Sequence, residues 1–371
     1  MKLYIIAGEA SGDLHGSNLI KALRTERRDI SIRCWGGELM ESAGADVVKH
    51  YRDLAFMGFA EVVMNLRTIL RNIDFCKSDI EAFKPDALIL IDYPGFNMRI
   101  AEWAKQKGIR VFYYISPQIW AWKENRVVKI RRDVSRMFVV LPFEKDFYRK
   151  HDMDVTFVGH PLLDVISSRQ KDMSSFISKH GLEDKPMIAL LPGSRKQEIS
   201  EMLPVMLEMK KRFPSHQLVI AGAPGQESSF YQSISGSSDV KIIFGNTYDL
   251  LLHAEAGMIT SGTATMEAGL FRLPQVVCYK GNWISYWIAR RLVKIKYISL
   301  VNLVLDRPAV CELIQGDMNP DRLEIELRAL LSEPQRIAQM KSDYDELHRK
   351  LGGPGASMRT AKEMLKILEE A

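Results

Sequence analysis

No apolar run in the 371 residues reaches the roughly 18 uncharged positions that a membrane-crossing helix needs. The first apolar run is about six residues long and ends at Gly8-Glu9, too short for a secretory leader. Only four cysteines occur, Cys34, Cys76, Cys278 and Cys311, and no two form a Cys-x-x-Cys pair. That spacing excludes a zinc ribbon or a disulfide framework and points to a reducing cytoplasm. Internal repeats and low-complexity tracts are absent. The net charge of +5 is too small to argue for general nucleic-acid binding, so no nucleic-acid partner is expected.

Short apolar runs alternate with helical patterns instead. Strands are predicted at 2–7, 30–35, 87–92, 110–115, 137–141 and 155–158. A second set follows at 187–191, 217–222, 240–244, 257–260 and 275–279. This βαβα rhythm implies parallel sheets covered by helices on both faces. The length exceeds one ordinary core, so two doubly wound α/β domains are expected, with a cleft between them. The polar stretch 164–186 carries no strand and reads as the linker, which divides the chain into 1–165 and 166–355. A helix at 356–371 follows the breaker Gly-Gly-Pro-Gly at 352–355 and is expected to fold back on the first domain.

Three strand-end turns attract attention. Residues 8–16 read Gly-Glu-Ala-Ser-Gly-Asp-Leu-His-Gly between the first strand and a helix expected over 14–24. The glycines at 8, 12 and 16 do not match the dinucleotide spacing, and Glu9 and Asp13 would repel a pyrophosphate. Pro-Gly-Ser-Arg-Lys at 192–196 and Ser-Gly-Thr-Ala-Thr at 261–265 suit phosphate better. Both combine small residues with a helix start, and Arg195 can chelate a phosphate. Each reads equally as an ordinary capped turn. Glu267, one turn into its helix, suits a ribose hydroxyl or simply a helix N-terminus.

Asp92 ends the apolar run 87–91 and precedes Tyr-Pro-Gly-Phe-Asn at 93–97. It reads either as a general base or as a helix cap, with Asn97 the better cap. Trp120 and Trp122 lie on the next strand-end loop and suit either a sugar face or a hydrophobic staple. The basic stretch 123–136 is a solvated face or a site for an acidic partner. Two greasy segments complete the set. The stripe Phe59, Val62, Val63, Leu66, Ile69, Leu70, Ile73 is a core-facing helix or one lying on an anionic membrane. Residues 280–297 mix five cations with Trp283, Tyr286 and Trp287 and contain no acid; they read as a membrane-interface segment or as a basic helix packing its aromatics inward.

The motifs occur in order along nearly the whole chain. They are Ala-Gly-Glu-Ala-Ser-Gly-Asp at 7–13, Ile-Asp-x-Pro-x-Phe-Asn at 91–97 and Tyr-x-Ser-Pro-x-x-Trp-Ala-Trp at 114–122. Leu-Pro-Phe-Glu at 141–144, Gly-His-Pro at 159–161 and Leu-Leu-Pro-Gly-Ser-Arg at 190–195 follow. Ser-Gly-Thr-Ala-Thr-x-Glu at 261–267 and Ile-Ser-Leu-Val-Asn-Leu at 298–303 complete them. Together they resemble the lipid-A-disaccharide synthase family of Gram-negative glycosyltransferases. The resemblance implies a GT-B architecture of two Rossmann-like domains, without cofactor or essential metal. It implies transfer of 2,3-diacylglucosamine from UDP to 2,3-diacylglucosamine 1-phosphate at the cytoplasmic face of the inner membrane, peripherally attached, and it admits a homodimer. On this reading Asp92 is the base. Glu9, Ser11, Gly12, Asp13 and Asn302 meet substrate. Gly193, Ser194, Arg195, Ser261, Gly262, Thr263, Ala264, Thr265 and Glu267 hold UDP. Gly95 stands where the family's loop is expected to carry a second acid, which leaves Asp92 the loop's only carboxylate. The competing readings are a UDP-GlcNAc 2-epimerase or other GT-B enzyme, and a catalytically inert UDP-sugar-binding membrane protein.

Overall fold

The computed structural model describes residues 1–54, 66–122, 124–167, 172–236, 240–281 and 296–370. It divides into two compact units. One is Met1–Val165 with Leu351–Ala371, the other Ile166–Lys350.

The first unit is built on seven parallel strands: β1 (Lys2–Ala7), β2 (Ser31–Gly36), β3 (Asp46–His50), β4 (Ala87–Ile91), β5 (Arg110–Tyr114), β6 (Arg136–Val139) and β7 (Thr156–Phe157). Their order is β3-β2-β1-β4-β5-β6-β7. The chain winds outward from β1 in both directions, so β1 and β4 flank the switch point. Their register pairs Ala7 with Ile91, which sets the two following loops side by side. All five residues of β4 are fully buried, as an all-apolar Ala-Leu-Ile-Leu-Ile strand in the middle of a parallel sheet must be.

The second unit repeats the plan with β8 (Met187–Leu191), β9 (Gln217–Gly222), β10 (Lys241–Phe244), β11 (Ala256–Thr260), β12 (Gln275–Tyr279) and β13 (Cys311–Ile314). The order is β10-β9-β8-β11-β12-β13, with β8 and β11 at the switch point and Leu191 paired with Ile259.

Several expectations are corrected. The helix after β1 spans Ala10–Glu26, so it begins four residues before the expected 14. Only Gly8 and Glu9 separate strand from helix, and Ser11, Gly12 and Asp13 are helical. The expected linker 164–186 contains the helix Met173–His180, whose Phe176 is buried in the core of the second unit. Strands β3 and β13 were not foreseen. The helix Ala356–Glu369 packs against Ala10–Glu26 in the first unit. The Asp164 carboxylate accepts from the N–H groups of Gly355, Ala356 and Ser357 and so caps it, while Arg110 donates to the carbonyl of Ile367 near its other end.

Among the described residues, no helix is long and apolar enough to cross a membrane. Most of the stripe 56–73 lies outside the described residues. In its visible part Ile69 and Ile73 pack on the core, and Leu70 is exposed. Residues 282–295 of the basic aromatic segment also lie outside.

Candidate active site

In the first unit, the loops after β1 and β4 meet at the switch point. Asp92 takes φ +43° and Tyr93 φ +48°, two consecutive non-glycine residues in the left-handed region. Such conformations persist only where the surroundings over-determine them, and they cluster at functional sites. Pro94 then opens the helix Pro94–Gln106. Asn97 does not cap it. Its amide reaches back to the carbonyls of Ile91 and Asp92. The residue at the cap position is Tyr93, whose side chain makes no capping bond.

Gly8 is required here by close approach. A Cβ on it would lie 2.3 Å from the Tyr93 ring. The Tyr93 ring therefore lies against the Gly8 backbone, which brings Glu9 near Asp92. Burial pushes the Asp92 carboxyl up to about 7, and the negative charge of Glu9 adds to the rise. A carboxylate poised near neutral pH suits a general base. Gly8→Ala forces the Tyr93 ring to move and the Asp92 turn with it. We expect kcat to drop about tenfold or more with KM within about twofold, read by steady-state kinetics.

The other acidic residue of the opening motif is committed elsewhere. Asp13 is buried, and its carboxylate accepts from the backbone N–H groups of Gly37, Leu39 and Met40 at 2.8, 3.2 and 3.1 Å. It anchors the short helix Glu38–Ser42. Ser11 is exposed, and Gly12 is buried against Ala7.

The loops after β5 and β6 extend the same edge. Ile115 takes φ +64°, a costly conformation for a β-branched residue. Ser116 Oγ and the Tyr148 hydroxyl are 2.6 Å apart. Glu144 is buried, accepts from the N–H groups of Val140 and Leu141, and is pushed up to about 7 by burial. Sequence reasoning did not single it out. The Leu-Pro-Phe-Glu run, proline at the first helical turn and glutamate at its third position, carries that capping signal. Trp120 packs edge-on against Phe143, with ring centroids 4.9 Å apart. The side chain of Trp122 lies outside the described residues. On the basic helix, Arg132 is committed to Glu102 and Asp133.

In the second unit, the loops after β8 and β11 again flank the switch point. Gly193 takes φ +123°, and Glu198 folds back beneath the turn. Its carboxylate accepts from the N–H groups of Ser194 and Arg195, both at 3.3 Å, and pairs with the Arg195 guanidinium at 2.9 Å. The turn thus already cradles an anion, its own. The Arg195 side chain remains 73% exposed.

Gly262 at φ +126° leads into the helix Thr263–Leu270. In its first turn the Thr265 N–H donates to the Gly262 carbonyl at 3.2 Å, and helix geometry leaves the N–H groups of Thr263 and Ala264 without an intrahelical acceptor. The hydroxyls are less available than sequence suggested. Ser261 Oγ donates to the Ile298 carbonyl, and Thr265 Oγ1 donates to the Gly262 carbonyl and accepts from the Leu300 N–H. Glu267 accepts from the Tyr248 hydroxyl at 2.9 Å, and burial raises its pKa. Asn302 is buried. It donates to the Val310 carbonyl and to Glu312, and accepts from the Val310 N–H. Glu312 in turn accepts from the N–H groups of Ile298 and Ser299. Asn302 therefore braces the segment that Ser261 and Thr265 also hold.

The family model described as lipid-A-disaccharide synthetase matches residues 3–367. The chain belongs to that family. The lipid-A-disaccharide synthase of Syntrophus aciditrophicus is 41% identical, over 99% of this chain and 98% of the relative. That of Myxococcus xanthus is 37% identical, over 99% and 97%. Membership makes the chain an enzyme, a glycosyltransferase of lipid A disaccharide synthesis.

Solved structures show the fold. A UDP-GlcNAc 2-epimerase from Neisseria meningitidis bound to UDP-GlcNAc superposes with a TM-score of 0.70 at 14% identity, over 99% of this chain and all of that one. The calicheamicin glycosyltransferase CalG4 does so with 0.59 at 15%, over 100% and 98%. Both reflect the shared GT-B architecture. The full-length sequence relatives, at far higher identity, separate this family member from the epimerases.

Proposed function

We propose that the enzyme transfers 2,3-diacylglucosamine from UDP to the 6-hydroxyl of 2,3-diacylglucosamine 1-phosphate, with inversion, at the cytoplasmic face of the inner membrane. Asp92 carries the reading: a half-buried carboxylate at the switch point, pushed up to about 7 by desolvation, on the edge where a parallel sheet presents its chemistry. The Asp92 carboxylate takes the proton of the acceptor 6-hydroxyl as that oxygen attacks the anomeric carbon. The bond from that carbon to the UDP oxygen breaks, and UDP leaves with the electron pair. The charge developing on UDP falls to the second unit. The helix start at 262–264 offers a fixed positive dipole without reorganisation, and the exposed Arg195 guanidinium, paired through one nitrogen with Glu198, adds its remaining donors. The two N–H groups that Glu198 fills are outside this role unless Glu198 leaves. Glu267, oriented by Tyr248, is placed to accept from a ribose hydroxyl.

The test is the pH profile of acceptor-dependent UDP release. The base must be ionised, so kcat/KM rises with pH and levels off above the Asp92 pKa of about 7. Removing the neighbouring charge with Glu9→Gln lowers that pKa, so the limb moves to lower pH. A profile without an acidic limb, or a limb unmoved in Glu9→Gln, contradicts the assignment.

Membrane attachment rests on the exposed Leu70 and Phe75, with Arg67 and Arg71 also exposed on the same helix Leu66–Phe83. The protein is expected to co-sediment with vesicles containing anionic phospholipid, and less so as salt rises. No co-sedimentation at low salt contradicts it.

A further inference from the structure

The Asp92 backbone has no uncommitted polar group. Its N–H donates to the Tyr114 carbonyl at 3.1 Å. Its carbonyl accepts twice, from the Tyr113 hydroxyl at 2.6 Å and from Asn97 Nδ2 at 2.7 Å, which fills both lone pairs. The same Asn97 nitrogen reaches the Ile91 carbonyl at 3.2 Å. Tyr113 stands on β5, in register with Leu90 of β4, and is fully buried. Asn97 is fully buried in the helix that follows the turn. The neighbouring strand and the next helix therefore grip one carbonyl from two directions.

That grip falls on the residue that needs it. A left-handed φ is uncommon outside glycine, aspartate tolerating it better than most residues, and here the bulky Tyr93 repeats it. An extended residue 92 would continue the alternation of β4 and place its Cβ on a face of the sheet. The left-handed turn breaks that alternation and re-aims the Cβ. We infer that Tyr113 and Asn97 are positioning residues for the transfer: their two donors lock Asp92 in its left-handed turn and so set the aim of its carboxylate. This inference rests on Asp92 being the base.

The charged and titratable groups around the turn are few. Glu9 acts on both Asp92 and Tyr93, while Asp92, Tyr148 and the Arg126 charge act on Tyr113, itself pushed well above the phenol range chiefly by burial. None of them replaces the two donors on the carbonyl.

The experiment compares Tyr113→Phe, Asn97→Ser, their double variant and Asp92→Asn, all in the full chain, with thermal melts to establish folding. In Tyr113→Phe we expect kcat to fall about 10²-fold with both KM values within about twofold. We also expect the acidic limb of the pH profile to shift to lower pH, because a released carboxylate is better hydrated. Asn97→Ser is expected to give the same pattern and carries the test if Tyr113→Phe does not fold. The double variant should lose little more than the worse single one, since both act on one carbonyl. A fall in kcat that only tracks the folded fraction, with an unmoved limb, overturns the inference, as does unchanged kcat. Full activity in Asp92→Asn overturns the base assignment itself. An inactive Asp92→Asn beside a wild-type-like Tyr113→Phe overturns only the positioning role.

Discussion

Asp92→Asn is expected to lower kcat by about 10³-fold while UDP binds as tightly as before. The asparagine keeps the shape of the side chain and its backbone bonds to Tyr113, Asn97 and Tyr114. It loses only the ability to take a proton. Substrate held in place still reacts slowly, because orientation and the charge-stabilising dipoles of the second unit remain. UDP affinity is the internal control, since the proposed donor contacts at 193–195 and 261–267 lie in a different unit. A variant with intact kcat, or one whose loss is matched by lost UDP binding, contradicts the general-base role. The variant also removes the acidic limb near pH 7, which sharpens the assignment beyond a simple loss of rate.

The second large effect is on stability. Asp13→Ala removes the acceptor for three backbone N–H groups, two of them in buried bonds. An orphaned buried donor costs about 1–3 kcal/mol, so the variant should lose about 3 kcal/mol or more. For a unit of this size that is roughly a 10 °C drop in the melting temperature. Asp13→Asn keeps one acceptor oxygen and should lose less. At low temperature, where both variants are folded, kcat/KM should stay within a few-fold of the parent. Unchanged melting with abolished activity would instead place Asp13 on the substrate.

The contrast between Asp92 and Asp13 shows what was legible in the sequence. Strands buried on both faces announced themselves, as Ala87–Ile91 and Met187–Leu191 did, because parallel sheets need unbroken apolar runs. The unforeseen strands Asp46–His50 and Cys311–Ile314 lie at the sheet edges. They are half-exposed and carry Asp46, Lys49, His50 and Glu312, which hide the pattern. Glycine misled at the first turn. Gly12 reads as a loop residue, and Gly16 falls in the expected helix without a role. The structure uses them for close packing, Gly12 with Ala7 and Gly16 with Met40, inside a helix.

The strand-end rule located all four loops, because in a doubly wound sheet the ends flanking the switch point carry the site. What each polar side chain does there was not legible. Asp13, Thr265 and Asn302 are small hydrogen-bonding residues in motif positions, as contacts to substrate would be. Their partners include groups that no motif spacing links to them: the backbone of 37–40 for Asp13, of 300 for Thr265, and Val310 with Glu312 for Asn302. Spacing along the chain carries no trace of such partners. The same holds for Tyr113, whose hydroxyl works from a neighbouring strand.

The most direct measurement is mass-detected product formation by the purified enzyme given UDP-2,3-diacylglucosamine and 2,3-diacylglucosamine 1-phosphate, with the anomeric configuration read by NMR. One disaccharide 1-phosphate per UDP released is expected, β-linked at the 6-position, with no consumption of donor when acceptor is omitted. Donor turnover without acceptor, or an α-linked product, would contradict inverting transfer.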